Sequence, residues 1–232
     1  MREETTTMDN TGTVIETHKK MQLWLNLGFI ALLIGGWLYY PLGYFLLVCM
    51  FGAMGIGMIK GRYWCDWMCP RGSFLDKIMK RFSLHRKVPP FFRHPAFRTG
   101  WLIVLMTMLA IQLPPVWGDF YKMGKPFVMI LTVTTVVGLL FGVIYHERAW
   151  CMFCPMGTMA NWLGRGKMLL KVDEACINCG ICETVCRMQI NPGSYRESGI
   201  VTHGDCLKCS YCVESCPEKA LGFNGATRER TE

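Results

Sequence analysis

Arg62-Tyr63-Trp64-Cys65-Asp66-Trp67-Met68-Cys69-Pro70-Arg71-Gly72-Ser73 is answered further along the chain by Arg148-Ala149-Trp150-Cys151-Met152-Phe153-Cys154-Pro155-Met156-Gly157-Thr158. Both stretches read R-x-W-C, a spacer of three or two residues, then C-P-x-G-[ST]. The leading cysteines, Cys65 and Cys151, lie 86 residues apart. Each copy follows two apolar stretches. These run about Leu23–Tyr40 and Leu42–Ile59, then Trp101–Val116 with its flanks and Phe127–Tyr145. None carries Asp, Glu, Lys or Arg inside, and each has about the 18 to 20 residues a helix needs to cross a bilayer. Trp24, Trp37, Tyr39, Tyr40, Trp101, Trp117 and Tyr145 stand near their ends, as interfacial belts do. A large soluble helical core is the competing reading. It fails because four uncharged stretches of this length leave too little polar surface to cover them. The expected fold is a membrane all-α part with four transmembrane helices in two parallel two-helix repeats. An even number of spans per repeat brings both cysteine pairs to one membrane face.

Charge sets the orientation. Lys60, Arg62, Arg71, Lys77, Lys80, Arg81, Arg86, Lys87, Arg93 and Arg98 lie between the second and third spans, ten of the 25 Lys and Arg in the chain. The turn between the first two spans has none, and the loop after the third has Lys122 and Lys125. The positive-inside rule puts the ten-charge loop in the cytoplasm. Four crossings then place both termini on that side. The polar, mixed-charge first twenty residues do not read as a cleaved signal peptide. The net charge of +8 resides mainly in this juxtamembrane loop, so anionic lipid headgroups are the expected partner and nucleic acid is not.

Beyond the second copy come eight more cysteines in two identical runs. Cys176, Cys179, Cys182 and Cys186 are spaced C-x2-C-x2-C-x3-C, and Cys206, Cys209, Cys212 and Cys216 repeat this, with Pro217 next. Such a run turns three thiolates towards one cubane and the fourth towards another. Cys176, Cys179, Cys182 and Cys216 are therefore expected to hold one [4Fe–4S] cluster, and Cys206, Cys209, Cys212 and Cys186 a second. Zinc sites rarely use eight cysteines without a histidine, and disulfides do not explain the duplicated spacing. Arg187, not proline, follows Cys186. The stretch from about Lys171 to Phe223 resembles the bacterial two-cluster ferredoxins, which implies an α+β ferredoxin-like domain. The chain then divides into a tail (1–21), a membrane domain (22–170), a ferredoxin domain (171–225) and a short tail (226–232).

Paired cysteine-proline motifs behind transmembrane helices, followed by a ferredoxin module, resemble the NapH-type membrane quinol dehydrogenase subunits of nitrate reductase systems. Related membrane parts occur in the NosR and NirI accessory proteins and the CcoG oxidase-assembly factors. The resemblance covers about Met21 to Phe223; the second motif departs from it by one spacer residue. It implies four spans with both termini inside a bacterial cytoplasmic membrane, the quinone pool as a redox partner, and other subunits of a redox complex.

Cys65, Cys69, Cys151 and Cys154 leave three readings open. They are a third iron–sulfur or other metal centre, a pair of redox dithiols, or cysteines that shape turns with their prolines. Cys49, alone within the second span, reads as packing. His146 at the end of the fourth span is a candidate proton acceptor for quinone chemistry, and equally an interfacial cap. Asp119 and Tyr121, in the loop Pro114–Pro126, are candidates for a quinone pocket or ordinary loop residues. His85 and His94 lie in the basic loop, and no histidine within a span supports a bis-histidine haem. The Ala53-x3-Gly57 and Gly138-x3-Gly142 stripes predict close helix approach. Ser73 and Thr158 are expected to cap interfacial helices, the first with Phe74, Ile78 and Phe82 on one face. The reading is a membrane-anchored iron–sulfur electron carrier between the quinone pool or a membrane partner and a respiratory reductase or dehydrogenase. An electron-donating assembly or regulatory factor for a metalloenzyme is the alternative.

Overall fold

The computed structural model describes residues 3–223; the expected tail from 226 onward lies outside the described residues. Helix α1 (Glu3–Leu38) joins the polar N-terminal stretch and the first span in one rod. A 3-10 turn at Tyr40–Tyr44 leads into α2 (Phe45–Lys60). The first motif occupies α3 (Tyr63–Trp67) and the start of α4 (Pro70–Phe82). The third and fourth spans are α5 (Pro95–Gln112) and α6 (Phe120–Ile144), and α7 (Pro155–Leu163) follows the second motif. The remainder is β1 (Leu170–Val172), α8 (Ile181–Thr184), β2 (Ile200–Val201), α9 (Tyr211–Glu214) and β3 (Leu221–Phe223).

Four helical stretches are long and apolar enough to cross a membrane: Lys20–Leu38, Tyr40–Lys60, Pro95–Val116 and Phe120–Ile144. Helices suit such sequences because each backbone polar group is satisfied within its own segment. The fourth stretch is the hub, with 39% of its apolar window buried against 6% for the third. Trp24, Ile34, Val48, Ile103 and Ile111 point outward, the surface that hydrocarbon would cover. Helix α6 starts earlier than the apolar run suggests. Asp119 Oδ1 accepts from the Tyr121 and Lys122 amides, and this cap lets the helix begin before Pro126, which read as a loop residue.

The helices after the motifs also differ from expectation. Cys69 and Cys154 occupy the N-cap positions, with Pro70 and Pro155 at the first helical position, where a missing amide costs nothing. Ser73 and Thr158 are not caps; they lie inside the first turns, 2% and 1% exposed. Helix α4 does not lie on a surface by its Phe74–Ile78–Phe82 face. Leu75 and Met79 are buried, Phe74 meets Phe29 of α1 with tilted rings 5.2 Å apart, and Phe82 is left exposed.

Packing between the two halves is crosswise. Helix α7 lies on α2, and α4 lies on α6 and α1. The small residues make this approach close: a β-carbon at Gly57 would stand 3.3 Å from the Cα of Ala160, and one at Gly142 would stand 2.8 Å from Met79 Cγ. Each stripe thus receives the helix that follows the other half's motif. In the C-terminal part, β1 is the centre of a three-stranded antiparallel sheet with the order β2-β1-β3. Leu170 and Val172 face inward and Lys171 outward.

Candidate metal centres

The two C-terminal cysteine runs have the same backbone path. Asn178 and Gly180 in the first run, and Lys208 and Ser210 in the second, adopt positive φ. Gly180 (φ 79°) supplies this without strain; Ser210 (φ 65°) does so as an L-residue. Left-handed residues alternating with right-handed ones turn successive amides inward, a concavity suited to iron–sulfur clusters and other anions. Two cavities result. One, of about 340 Å³ including its open mouth, is lined by Cys176, Cys179, Cys182 and Cys216. The other, of about 450 Å³, is lined by Cys186, Cys206, Cys209 and Cys212. The fourth cysteine of each run faces the cavity of the other run. Among the described residues, no three or more His, Cys, Asp or Glu side chains are gathered closely enough for a single ion. A cubane takes one thiolate at each of four separated iron corners, so an open, four-thiol cavity suits it.

The remaining four motif cysteines converge where the two halves of the membrane part meet. Cys65 lies on α3, Cys69 and Cys154 stand at the N-cap positions of α4 and α7, and Cys151 lies in the 3-10 turn Trp150–Met152. Cys65, Cys151 and Cys154 are each less than a tenth exposed. The motif arginines hold the halves reciprocally. Arg62 Nη2 donates to the Cys151 carbonyl, and Arg148 Nη1 donates to the Cys65 carbonyl at 2.9 Å. Arg71 Nη2 reaches Cys154 Sγ at 3.2 Å, while its Nη1 holds Thr134 Oγ1 at 2.8 Å and its guanidinium lies over Trp150. Burial pushes the Cys65 thiol up to about 12, with Cys69, Cys151 and Cys154 adding to it against Arg62. Burial likewise takes Cys151 to about 11, opposed by Arg148. These thiols influence one another directly, so the set is one electrostatic unit. Ligation would deprotonate them, and Arg62, Arg71 and Arg148 would offset the resulting negative charge.

Orphaned polar atoms suit a bound group between the halves. The Ser73 and Thr158 hydroxyls and the Trp64 and Trp150 indole nitrogens are buried with no hydrogen-bond partner among the described residues. They occupy equivalent places in the two motifs, and buried polar groups left unpaired in native proteins call for an explanation such as an ion.

Two buried ionic knots join this region to the ferredoxin part. Asp205 receives Arg62 Nη1 at 2.7 Å, Arg98 Nη1 at 2.9 Å and Asn161 Nδ2 at 2.9 Å. Its burial would favour the neutral acid, but Arg62 and Arg98 override this and hold it ionised, at about 2. The second knot gathers Asp66 and Asp76 around Arg148 and Arg187, with His18 Nε2 3.1 Å from Asp66. None of these acids was conspicuous in the sequence. The signals available were the arginine shared by both motifs, two acids inside a basic loop, and the arginine after Cys186.

The other candidates lie elsewhere. His146 Nε2 is 3.2 Å from Glu147 and its ring is 5.9 Å from that of His85; burial lowers its proton affinity. Asp119 is the cap of α6 and pairs with Lys122 at 3.0 Å. Tyr121 meets Tyr39 and Tyr40. Asp119 and Tyr121 stand at the end of α6 opposite the cysteines, so the structure does not bring them to His146.

The family described as "4Fe-4S binding domain" matches twice, at residues 42–89 and 126–173, and "4Fe-4S dicluster domain" matches 175–221. An uncharacterized protein of Methanocaldococcus jannaschii, MJ0749, is 26% identical over 184 residues, covering 76% of this chain and 70% of its own. The putative electron transport protein YccM of Escherichia coli is 25% identical over 184 residues, 70% of this chain and 50% of its own. The ferredoxin-type protein NapH of Escherichia coli is 27% identical over 176 residues, 68% of this chain and 60% of its own. No solved structure matches the chain.

Proposed function

Because the chain belongs with the NapH-type 4Fe-4S ferredoxin family of membrane proteins, we propose that it is a membrane-bound one-electron carrier linking the quinone pool, or a membrane redox partner, to a respiratory reductase or dehydrogenase. The observation that carries this is the pair of cavities, each lined by three cysteines of one run and the last cysteine of the other. Cys176, Cys179, Cys182 and Cys216 hold one [4Fe–4S] cluster, and Cys186, Cys206, Cys209 and Cys212 hold the second. Cys65, Cys69, Cys151 and Cys154 hold a third iron–sulfur centre, supported by their mutual electrostatic coupling and by the orphaned polar atoms of the two motifs. When bound, such clusters supply one-electron transfer over a wide range of potentials.

The chain's own residues arrange this chemistry. The two membrane halves form a repeat, supported by the double family match, the crosswise packing and the reciprocal arginine–carbonyl bonds. Their cysteine pairs are held at the cytoplasmic face of a bacterial inner membrane, next to the ferredoxin domain. Buried Trp150 and Phe153, with partly buried Trp101 against them, keep water from the second motif. His146 is the candidate proton acceptor for quinol chemistry.

Iron analysis and EPR of anaerobically purified protein test the assignment. Three cubanes correspond to about 12 iron atoms per chain. Cys65→Ser or Cys151→Ser should each remove one centre and about 4 iron while the ferredoxin signals remain. A short-chain menaquinol or ubiquinol analogue should reduce the ferredoxin clusters in detergent. Cys69→Ser or Cys154→Ser should slow this far more than Asp119→Asn or His146→Gln. About 8 iron with no response to Cys65→Ser or Cys151→Ser removes the third centre. Equal reduction rates in wild type, Cys69→Ser and Cys154→Ser overturn the relay and favour the assembly-factor reading.

A further inference from the structure

Two-cluster ferredoxin runs end in C-P, and Cys216-Pro217 keeps this while Cys186-Arg187 does not. The arginine is spent on a contact between the two parts of the molecule. Arg187 Nη1 lies 2.6 Å from Asp76 Oδ2 and 3.3 Å from Asp66 Oδ1. Its Nη2 donates to Tyr211 Oη at 2.8 Å, and its guanidinium lies over the Tyr211 ring at 4.3 Å. Asp66 adjoins Cys65, and both acids also bind Arg148 of the second motif. On the other flank, Asp205 adjoins Cys206 and is held by Arg62 and Arg98.

Both attachments therefore issue from neighbours of Cys186 and Cys206, two members of the same set. In the other set Cys176 is buried, but the set opens to water at its second cysteine. Cys179 is exposed, and Ile177 and Ile181 beside it are 62% and 40% exposed. Its neighbourhood reaches the membrane part through a surface pair, Lys87 Nζ to Glu183 Oε1 at 3.7 Å, with the lysine side chain 90% exposed.

We propose that Arg187 and Asp205 are positioning residues that seat the Cys186, Cys206, Cys209 and Cys212 site against the four membrane-part cysteines. That site is then the inner station of the relay, and the site of Cys176, Cys179, Cys182 and Cys216 is the outer, water-facing one. The inference rests on the cluster assignments proposed above. A hop between adjacent stations moves one electron, oxidising one and reducing the other by the same amount, with no bond made and no proton required. Arg187 and Asp205 act by holding a short separation, since a buried charge pair between two bodies is costly to break from one side.

EPR of the dithionite-reduced full-length protein tests this, with the signals assigned through Cys65→Ser, Cys179→Ser and Cys209→Ser. A water-soluble dysprosium chelate should speed the spin relaxation of the Cys179-dependent signal and leave the Cys209-dependent signal nearly unchanged. Arg187→Pro, which restores the ferredoxin pattern, should keep wild-type iron but lose the magnetic splitting between the Cys209- and Cys65-dependent signals. Splitting between the two ferredoxin signals should persist. Asp205→Asn should weaken the same splitting, and it decides the matter if Arg187→Pro loses iron. Unchanged splitting in an iron-replete variant, or equal relaxation of both ferredoxin signals by the chelate, overturns the proposal. If Cys65→Ser removes no signal, the third-centre reading fails instead, and the chelate alone then decides which ferredoxin site is inner.

Discussion

A methyl group at Gly72 would meet the Cys65 carbonyl oxygen at 2.9 Å and Arg148 Nη1 at 3.0 Å. At Gly157 it would meet Arg62 Nη2 at 2.6 Å and the Cys151 carbonyl oxygen at 3.2 Å. The fourth position of C-P-x-G is therefore glycine for one reason in both motifs: the arginine of the opposite half passes over it to a cysteine carbonyl. Gly72→Ala and Gly157→Ala should each cost about 1–3 kcal/mol of stability through overpacking. They should also remove the membrane-part EPR signal while the ferredoxin signals stay. An unchanged signal in both variants would show that the reciprocal arginine bonds are not needed to gather the cysteines. At this scale the sequence was legible wherever chemistry is local. Cysteine spacing is local, and the crosswise sharing of the two runs followed from it. The partners of the arginines were not legible, because Arg62 finds Asp205 143 residues away and Arg148 finds Asp66 82 residues back. Arg98 reads as one of ten charges that orient a loop, yet it is 5% exposed and bound to Asp205. A residue's charge is visible in sequence; whether a distant acid neutralises it is a property of the fold.

The four spans were legible as elements because length and lack of charge suffice for a membrane helix. Their ends were less so. Asp119 and the two motif cysteines at the N-cap positions shifted three helix starts, and the early start of α6 overrode the usual punctuation by Pro126. The small-residue stripes were also visible, but not what they receive. Gly57 takes Ala160 of α7, and Gly138 and Gly142 take Leu75 and Met79 of α4, so each span grips the helix that follows the other half's motif. Ala160, wholly buried, is the residue of α7 that faces Gly57 of α2. Ala160→Leu inserts three carbons into that contact, which should destabilise the membrane part by about 1–3 kcal/mol. The expected readout is a lower apparent melting temperature in detergent together with loss of the membrane-part signal. A variant with normal melting and a normal signal would mean that the α2–α7 contact does not bear on the site.

The whole molecule has two chemically different ends. At one, both motifs, the two ionic knots and the ferredoxin part are packed together. At the other, Tyr121 meets Tyr39 and Tyr40, and Tyr44 stacks on Phe120, an aromatic group of the kind found at a bilayer interface. The knots tie the first end together, because moving the ferredoxin part to the opposite side of the membrane would take Asp205 from Arg62 and Arg98, and Arg187 from Asp66 and Asp76, and breaking a buried ion pair from one side costs about 3–5 kcal/mol. Orientation is then a single choice for the whole assembly, and under the proposed function the basic loop makes it. Of the ten cations there, Arg62 and Arg98 are consumed internally, but exposed members such as Arg81, Arg86 and Lys87 remain, against Lys122 and Lys125 at the far end. The balance still favours that end inside. A reporter active only in the cytoplasm should work when inserted near His85 or fused after Glu232, and should be silent when inserted near Asp119. Activity at Asp119 with silence at Glu232 would reverse the orientation and turn the outer ferredoxin station away from cytoplasmic partners; activity at His85 with silence at Glu232 would break the knots themselves.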